Sequence, residues 1–107
     1  MIVDPSEEDW KYLRSIFDSL LEELSRRINE EIREILSRAG VSENEKRRLV
    51  YDTVRNRDRI VAECFDDWRR SRLYERCWAL KRHGLLSPQH LAKLTPQSQK
   101  AISPFDS

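Results

Sequence analysis

From Glu43 to His83 the sequence runs for forty-one residues without a glycine or a proline. Sheet folds of modest size need a turn every few residues, and turns draw on those two residue types. The whole chain of 107 residues holds two glycines and four prolines, and is rich in Glu, Arg and Leu. Sandwiches, barrels, parallel sheets and collagen are thereby excluded, and an all-α fold is left. The length suits one domain over residues 1–107.

The first helix is expected over about 5–39. Asp4 suits the N-cap, Pro5 the first helical position and Glu7 the capping-box acid. Apolar residues follow at Trp10, Leu13, Phe17, Leu20, Leu24, Ile28, Ile32, Ile35 and Ala39. Their mean spacing of about 3.6 marks a nearly straight helix rather than a supercoil. Gly40 is the natural stop, and Ser42-Glu43-Asn44-Glu45 opens a second helix with a capping box. So short a connection makes the two helices antiparallel. Phe17 is then expected near Cys64, and Leu13 near Trp68.

The second helix, about 43–83, carries two apolar stripes that disagree. Val50, Val54, Val61, Phe65 and Trp68 share one face, whereas Leu73, Cys77 and Leu80 are turned away from it by more than about 100°. Either the helix breaks near 69–72, or it continues and offers a new face to a different neighbour. With no breaker residue present, one continuous helix is the expectation.

The tail repeats with a period of eight: Leu86-Ser87-Pro88, Leu94-Thr95-Pro96 and Ile102-Ser103-Pro104. Each Ser/Thr-Pro pair reads as an N-cap followed by a first-turn proline. Two short helices, about 88–94 and 96–102, are predicted to cap the open end of the hairpin, with 103–107 as a tail. The hairpin itself leaves Ile16, Leu21, Leu36, Leu49 and Ile60 beside its seam. Burying these as a dimer interface, in a two-fold four-helix bundle, is the simplest remedy.

Chemistry is sparse. No metal or other cofactor is expected: neither histidine has a glutamate three residues before it, as an inward-facing carboxylate bundle requires. There is no Gly-rich phosphate loop and no nucleophile motif. Cys64 and Cys77, thirteen apart, read as two buried hydrophobes. Met1 to Pro5 contain neither a basic nor an apolar signal region, and no apolar run could span a membrane. A cytoplasmic protein without membrane contact is expected.

Charge is the main functional signal. Residues 5–39 carry six basic and nine acidic groups, whereas 43–83 carry twelve and eight. Within 69–82, Arg69, Arg70, Arg72, Arg76, Lys81 and Arg82 stand against Glu75 alone. Guanidinium groups suit bidentate contacts to carboxylate or phosphate. The leading expectation is a non-enzymatic adaptor, regulatory or inhibitory subunit, or assembly factor. It would bind itself and an unidentified protein partner through this arginine-rich face. The alternative is a nucleic-acid binder, in which Tyr74 and Trp78 stack bases within segment 68–83 and the short C-terminal helices add contacts.

A further alternative comes from Arg76 and His83, seven residues apart on one helix face. The pair resembles the Arg…His signature of the helical HEPN ribonucleases, over eight of the 107 residues. In that family the two side chains converge on RNA at a dimer interface, which would make Arg76 and His83 catalytic. The residue after the arginine, often polar in the family, is Cys77 here.

Overall fold

The structure, a computed structural model, describes residues 3–103. Five α-helices follow one another: α1 (Glu7–Leu36), α2 (Glu43–Phe65), α3 (Leu73–Arg82), α4 (Pro88–Ala92) and α5 (Pro96–Ile102). A 3-10 turn, Arg70–Arg72, precedes α3. Among the described residues there is no strand. The all-α hairpin with short capping helices is thus the architecture. Of the expected tail, Ser103 is the C-cap of α5 and the rest lies outside the described residues.

α1 begins two residues later than expected. Ser6, not Asp4, is the N-cap, and its hydroxyl accepts from Asp9 N at 3.2 Å. The Pro5 carbonyl instead accepts from Arg70 Nε at 2.6 Å, so it is held by the far end of the chain and not by its own helix. Glu7, Glu8 and Asp9 still place negative charge at the helix N-terminus. At the other end α1 stops at Leu36, where Ser37 closes the last turn by donating to Arg33 O and Glu34 O. Gly40 then makes the turn at φ +75, a conformation that L-residues with a Cβ avoid. Ser42 caps α2 as expected, accepting from Glu45 N at 3.1 Å.

The expectation of one helix over 43–83 is wrong. α2 ends at Phe65, Asp66 is extended, and Asp67 takes φ 55. The two apolar stripes explain why. Folding the chain at 66–69 turns Leu73, Tyr74, Cys77 and Leu80 back onto the core already occupied by Leu13, Leu20 and Cys64. A continuous rod would leave that stripe in water, and each such side chain is worth about 1.5–3 kcal/mol when buried. Cross-chain groups satisfy the freed end of α2: Trp68 Nε1 donates to Cys64 O at 2.7 Å, and Arg76 Nη1 donates to Glu63 O at 2.7 Å. Phe17 packs edge-on against Phe65 and Trp68, with ring centroids 5.2 and 4.6 Å away. That places it past the Cys64 position expected from a simple hairpin register.

α3 ends as the sequence predicts, at Gly84 with φ +69. Leu85 N reaches Leu80 O and Gly84 N reaches Lys81 O, a Schellman motif with both leucines buried. α4 is shorter than expected, ending at Ala92. His90 completes its capping box, since Nδ1 accepts from Ser87 N at 3.0 Å while the Ser87 hydroxyl accepts from His90 N. Thr95 caps α5. Leu85, Leu86, Leu94 and Ile102 seal the cap onto the same core.

The molecule measures 53 × 23 × 23 Å, and its two ends differ. The cap covers the half that contains Leu13 to Leu24 and Cys64 to Ile102. In the distal half, Ile35 is the only buried residue of α1 beyond Leu24, and no residue of α2 before Cys64 is buried. There the protein is two rods with no third neighbour. No helix among the described residues is long and apolar enough to cross a membrane.

Candidate interaction surface

The arginine-rich segment is where sequence reasoning placed the docking face, and its residues have separate fates. Arg70 holds Pro5 O, and Arg76 holds Glu63 O. Arg76 is half-buried, and its Nε has no hydrogen-bond partner. These two tie the 3-10 turn and α3 to α1 and α2. Arg69 pairs with Asp67 at 2.6 Å, Arg72 with Glu75 at 3.1 Å, and Arg82 with Glu63. All three keep more than half of their side-chain surface exposed. Lys81 is half-buried and also engaged within the chain. The six cations therefore do not form one open patch. Arg69, Arg72 and Arg82 face solvent, while Arg70 and Arg76 are structural.

Glu63 gathers the rest. Its carboxylate meets Arg82, its carbonyl takes Arg76, and His83 Nε2 lies 3.5 Å from Oε2. Burial and then the adjacent Arg82 charge push the His83 pKa below its usual value, despite the carboxylate. Arg76 and His83 do share a helix face, as expected, but that face is turned toward α2. Arg76 is held there at a backbone carbonyl. Tyr74 is buried with its hydroxyl 2.8 Å from Ser98 Oγ, and Trp78 donates to Ala101 O at 3.0 Å. Neither ring is presented for stacking on a base. Both fasten α3 to α5.

Arg27, unremarked in the sequence, donates to both His83 O and Gly84 O, at 2.9 and 3.0 Å. A cation at a helix C-terminus is favoured by the dipole, so Arg27 locks the end of α3 onto α1. Asp9 does the reverse at α5. It is 1% exposed, and it accepts from Thr95 N, Thr95 Oγ1 and Ser98 Oγ at 3.1, 2.6 and 2.5 Å. Burial works to raise its pKa, but the hydrogen bonds from Ser98, Thr95 and Ser6 hold it below the ordinary carboxylate value. Only the spacing of an acid in the first turn of α1 hinted at this role. Its partners are 86 and 89 residues away. The two thiols are buried, which raises Cys64 to about 11 and Cys77 to about 12.

The five residues expected at a dimer interface do not form one seam. Ile16 and Leu21 are five residues apart, about 140° around the helix, and both pack against the protein's own core. Ile60 also touches that core, and Leu49 is half-buried. Leu36 is the outlier, 51% exposed. Tyr51 and Val54 on α2, at 60% and 38%, accompany it on the distal arm. Val54 lies on the stripe expected to face α1, and is uncovered because no third element reaches it. The same arm carries two open hollows between its helices, about 280 and 150 Å³, on either side of the Arg57–Glu31 ion pair. Ile35 and Thr53 line the larger; Leu24, Ile28, Ile60 and His83 line the smaller, which lies where the end of α3 meets the hairpin.

Among the described residues, no three His, Cys, Asp or Glu side chains cluster in a way that could hold a metal ion. No protein-family model, curated protein or solved structure matches this chain.

Proposed function

We propose that the protein is a non-enzymatic helical interaction module, serving as an adaptor, a regulatory or inhibitory subunit, or an assembly factor. The uncovered distal arm is its contact surface, and a second copy is its first partner. One observation carries this reading: the chain caps one half of its hairpin with three further helices and leaves the other half as two bare rods. Leu36, Tyr51 and Val54 stand exposed there. Helices with apolar flanks gain most by adding neighbours until a four-helix bundle closes. These side chains are already about half covered, so each contributes on the order of 1 kcal/mol when the rest is buried, enough together to offset part of the cost of association.

A different protein partner has a second surface to use. Arg69, Arg72 and Arg82 are engaged only in solvent-exposed ion pairs. Such pairs contribute little, so these guanidinium groups can change partners at small cost. A nucleic acid would find the charges but not the aromatic platform, because Tyr74 and Trp78 are turned into the cap.

The test is the mass in solution by light scattering, for the wild type and for Leu36→Glu/Val54→Glu. The wild type is expected to be dimeric at micromolar concentration and the double variant monomeric with unchanged helix content. A wild type that stays monomeric would remove the reading. Binding to a polynucleotide that weakens steeply with salt would replace it by the nucleic-acid alternative.

A further inference from the structure

The corner at 66–69 is the least expected feature of the fold, and it points to a second mode of self-recognition. We propose that this corner is a hinge through which two copies of the chain exchange their α3–α5 caps. Three observations lead there. First, the sequence from Glu43 to Arg82 holds no glycine or proline, so nothing in its composition prevents a single helix. Second, the corner passes through one residue in an unfavourable backbone conformation. Asp67 is the only non-glycine residue with positive φ among those described. It is held there by its own carboxylate, which accepts from Arg69 Nε at 2.6 Å. A short acidic side chain competes with helix by bonding locally, and also tolerates the left-handed region. Third, the apolar stripe of α3 is rotated away from that of α2. In a continuous helix Leu73, Cys77 and Leu80 would turn from their own α1 toward another neighbour.

A second copy supplies that neighbour without any new surface. In the open form α2 and α3 join into one helix of about 60 Å, and the cap leaves Leu13, Leu20 and Cys64 uncovered. The partner's cap carries the same residues and so remakes the same contacts. These include Asp9 with Thr95 and Ser98, and Arg27 with His83 O and Gly84 O. Closed monomer and exchanged dimer then share the contacts of α3–α5, and differ in those of the corner, where Trp68, Arg70 and Arg76 bind Phe17, Pro5 O and Glu63 O. The corner decides between them, which is the usual energetics of domain exchange.

The proposal is independent of the distal arm, and its test is arranged to keep the two apart. In the Leu36→Glu/Val54→Glu background, Asp67 is replaced by Ala, Asn or Gly, and the species are separated by size and weighed by light scattering. Alanine is the best helix former and a poor resident of the left-handed region. It should disfavour each closed corner roughly tenfold, and thus favour dimer by up to about a hundredfold, since each dimer opens two corners. D67N keeps an oxygen for Arg69 and tolerates the left-handed region, and D67G keeps the conformation, so both should stay close to the parent. The D67A dimer should gain helical signal and persist for long after dilution, because release requires the caps to undock. If D67A does not fold, Asp66→Ala is expected to move the balance the same way while leaving the left-handed residue in place. Identical masses for D67A, D67N and D67G would overturn the proposal, as would a D67A dimer that dissociates as soon as it is diluted.

Discussion

Asp9 is the point at which the two ends of the chain are joined, and its removal has a calculable effect. In Asp9→Ala the carboxylate no longer accepts from Thr95 N, Thr95 Oγ1 and Ser98 Oγ. Hydrogen bonds to a charged group contribute about 1.5–3 kcal/mol each in net terms, but three to one carboxylate are not additive. Relief of the carboxylate's own desolvation offsets part of the loss. Ser98 also keeps Tyr74 as a partner. The expected destabilisation is about 3 kcal/mol, a large share of the roughly 5–15 kcal/mol typical of a folded domain. Urea unfolding followed by tryptophan fluorescence reads it directly, because Trp68 and Trp78 sit in the core and cap. The pH dependence supplies an independent check. A carboxylate whose folded pKa is held below its ordinary value adds stability above that ordinary value, and the contribution is lost as pH falls through the folded pKa. The gap between wild type and D9A should therefore be full at neutral pH and shrink in strong acid. A D9A protein within about 0.5 kcal/mol of wild type at pH 7 would refute the assignment of Asp9 as the latch.

Other consequences follow from the same geometry. Trp68→Phe keeps the ring against Phe17 but leaves Cys64 O without its indole donor, and should cost about 1 kcal/mol or slightly more in the same urea assay. Cys64 and Cys77 should react with a thiol reagent only as fast as the protein opens. Burial raises both pKa values, and added denaturant should speed both together.

The sequence made the helices legible but not the corner. Ser42, Gly84, Ser87 and Thr95 act locally, within three or four residues of the backbone groups they satisfy, and each is where the sequence puts it. The break after Phe65 has no glycine or proline to announce it. It is decided by which surface Leu73, Cys77 and Leu80 can reach, and the mismatch of stripes announced the conflict without choosing its outcome. The basic segment was misleading for a related reason. Net charge over 69–82 is visible in one dimension, whereas the partners of Arg70 and Arg76 are the carbonyls of Pro5 and Glu63, 65 and 13 residues away. Guanidinium groups that satisfy helix ends look, in sequence, like guanidinium groups that await a ligand. The uncovered arm was foreseeable in kind, since two rods bury little. The cap's reach, ending near Leu24 and Cys64, was not.

The contrast between a covered and a bare half can be measured on the wild-type chain by backbone amide exchange at high and low protein concentration. Amides of residues 28–35 and 50–60 should be well protected when the protein is concentrated and lose protection on dilution. Those of α3 and α5 should exchange at one rate throughout. Equal protection of both halves at every concentration would contradict the claim that the distal arm seeks a partner.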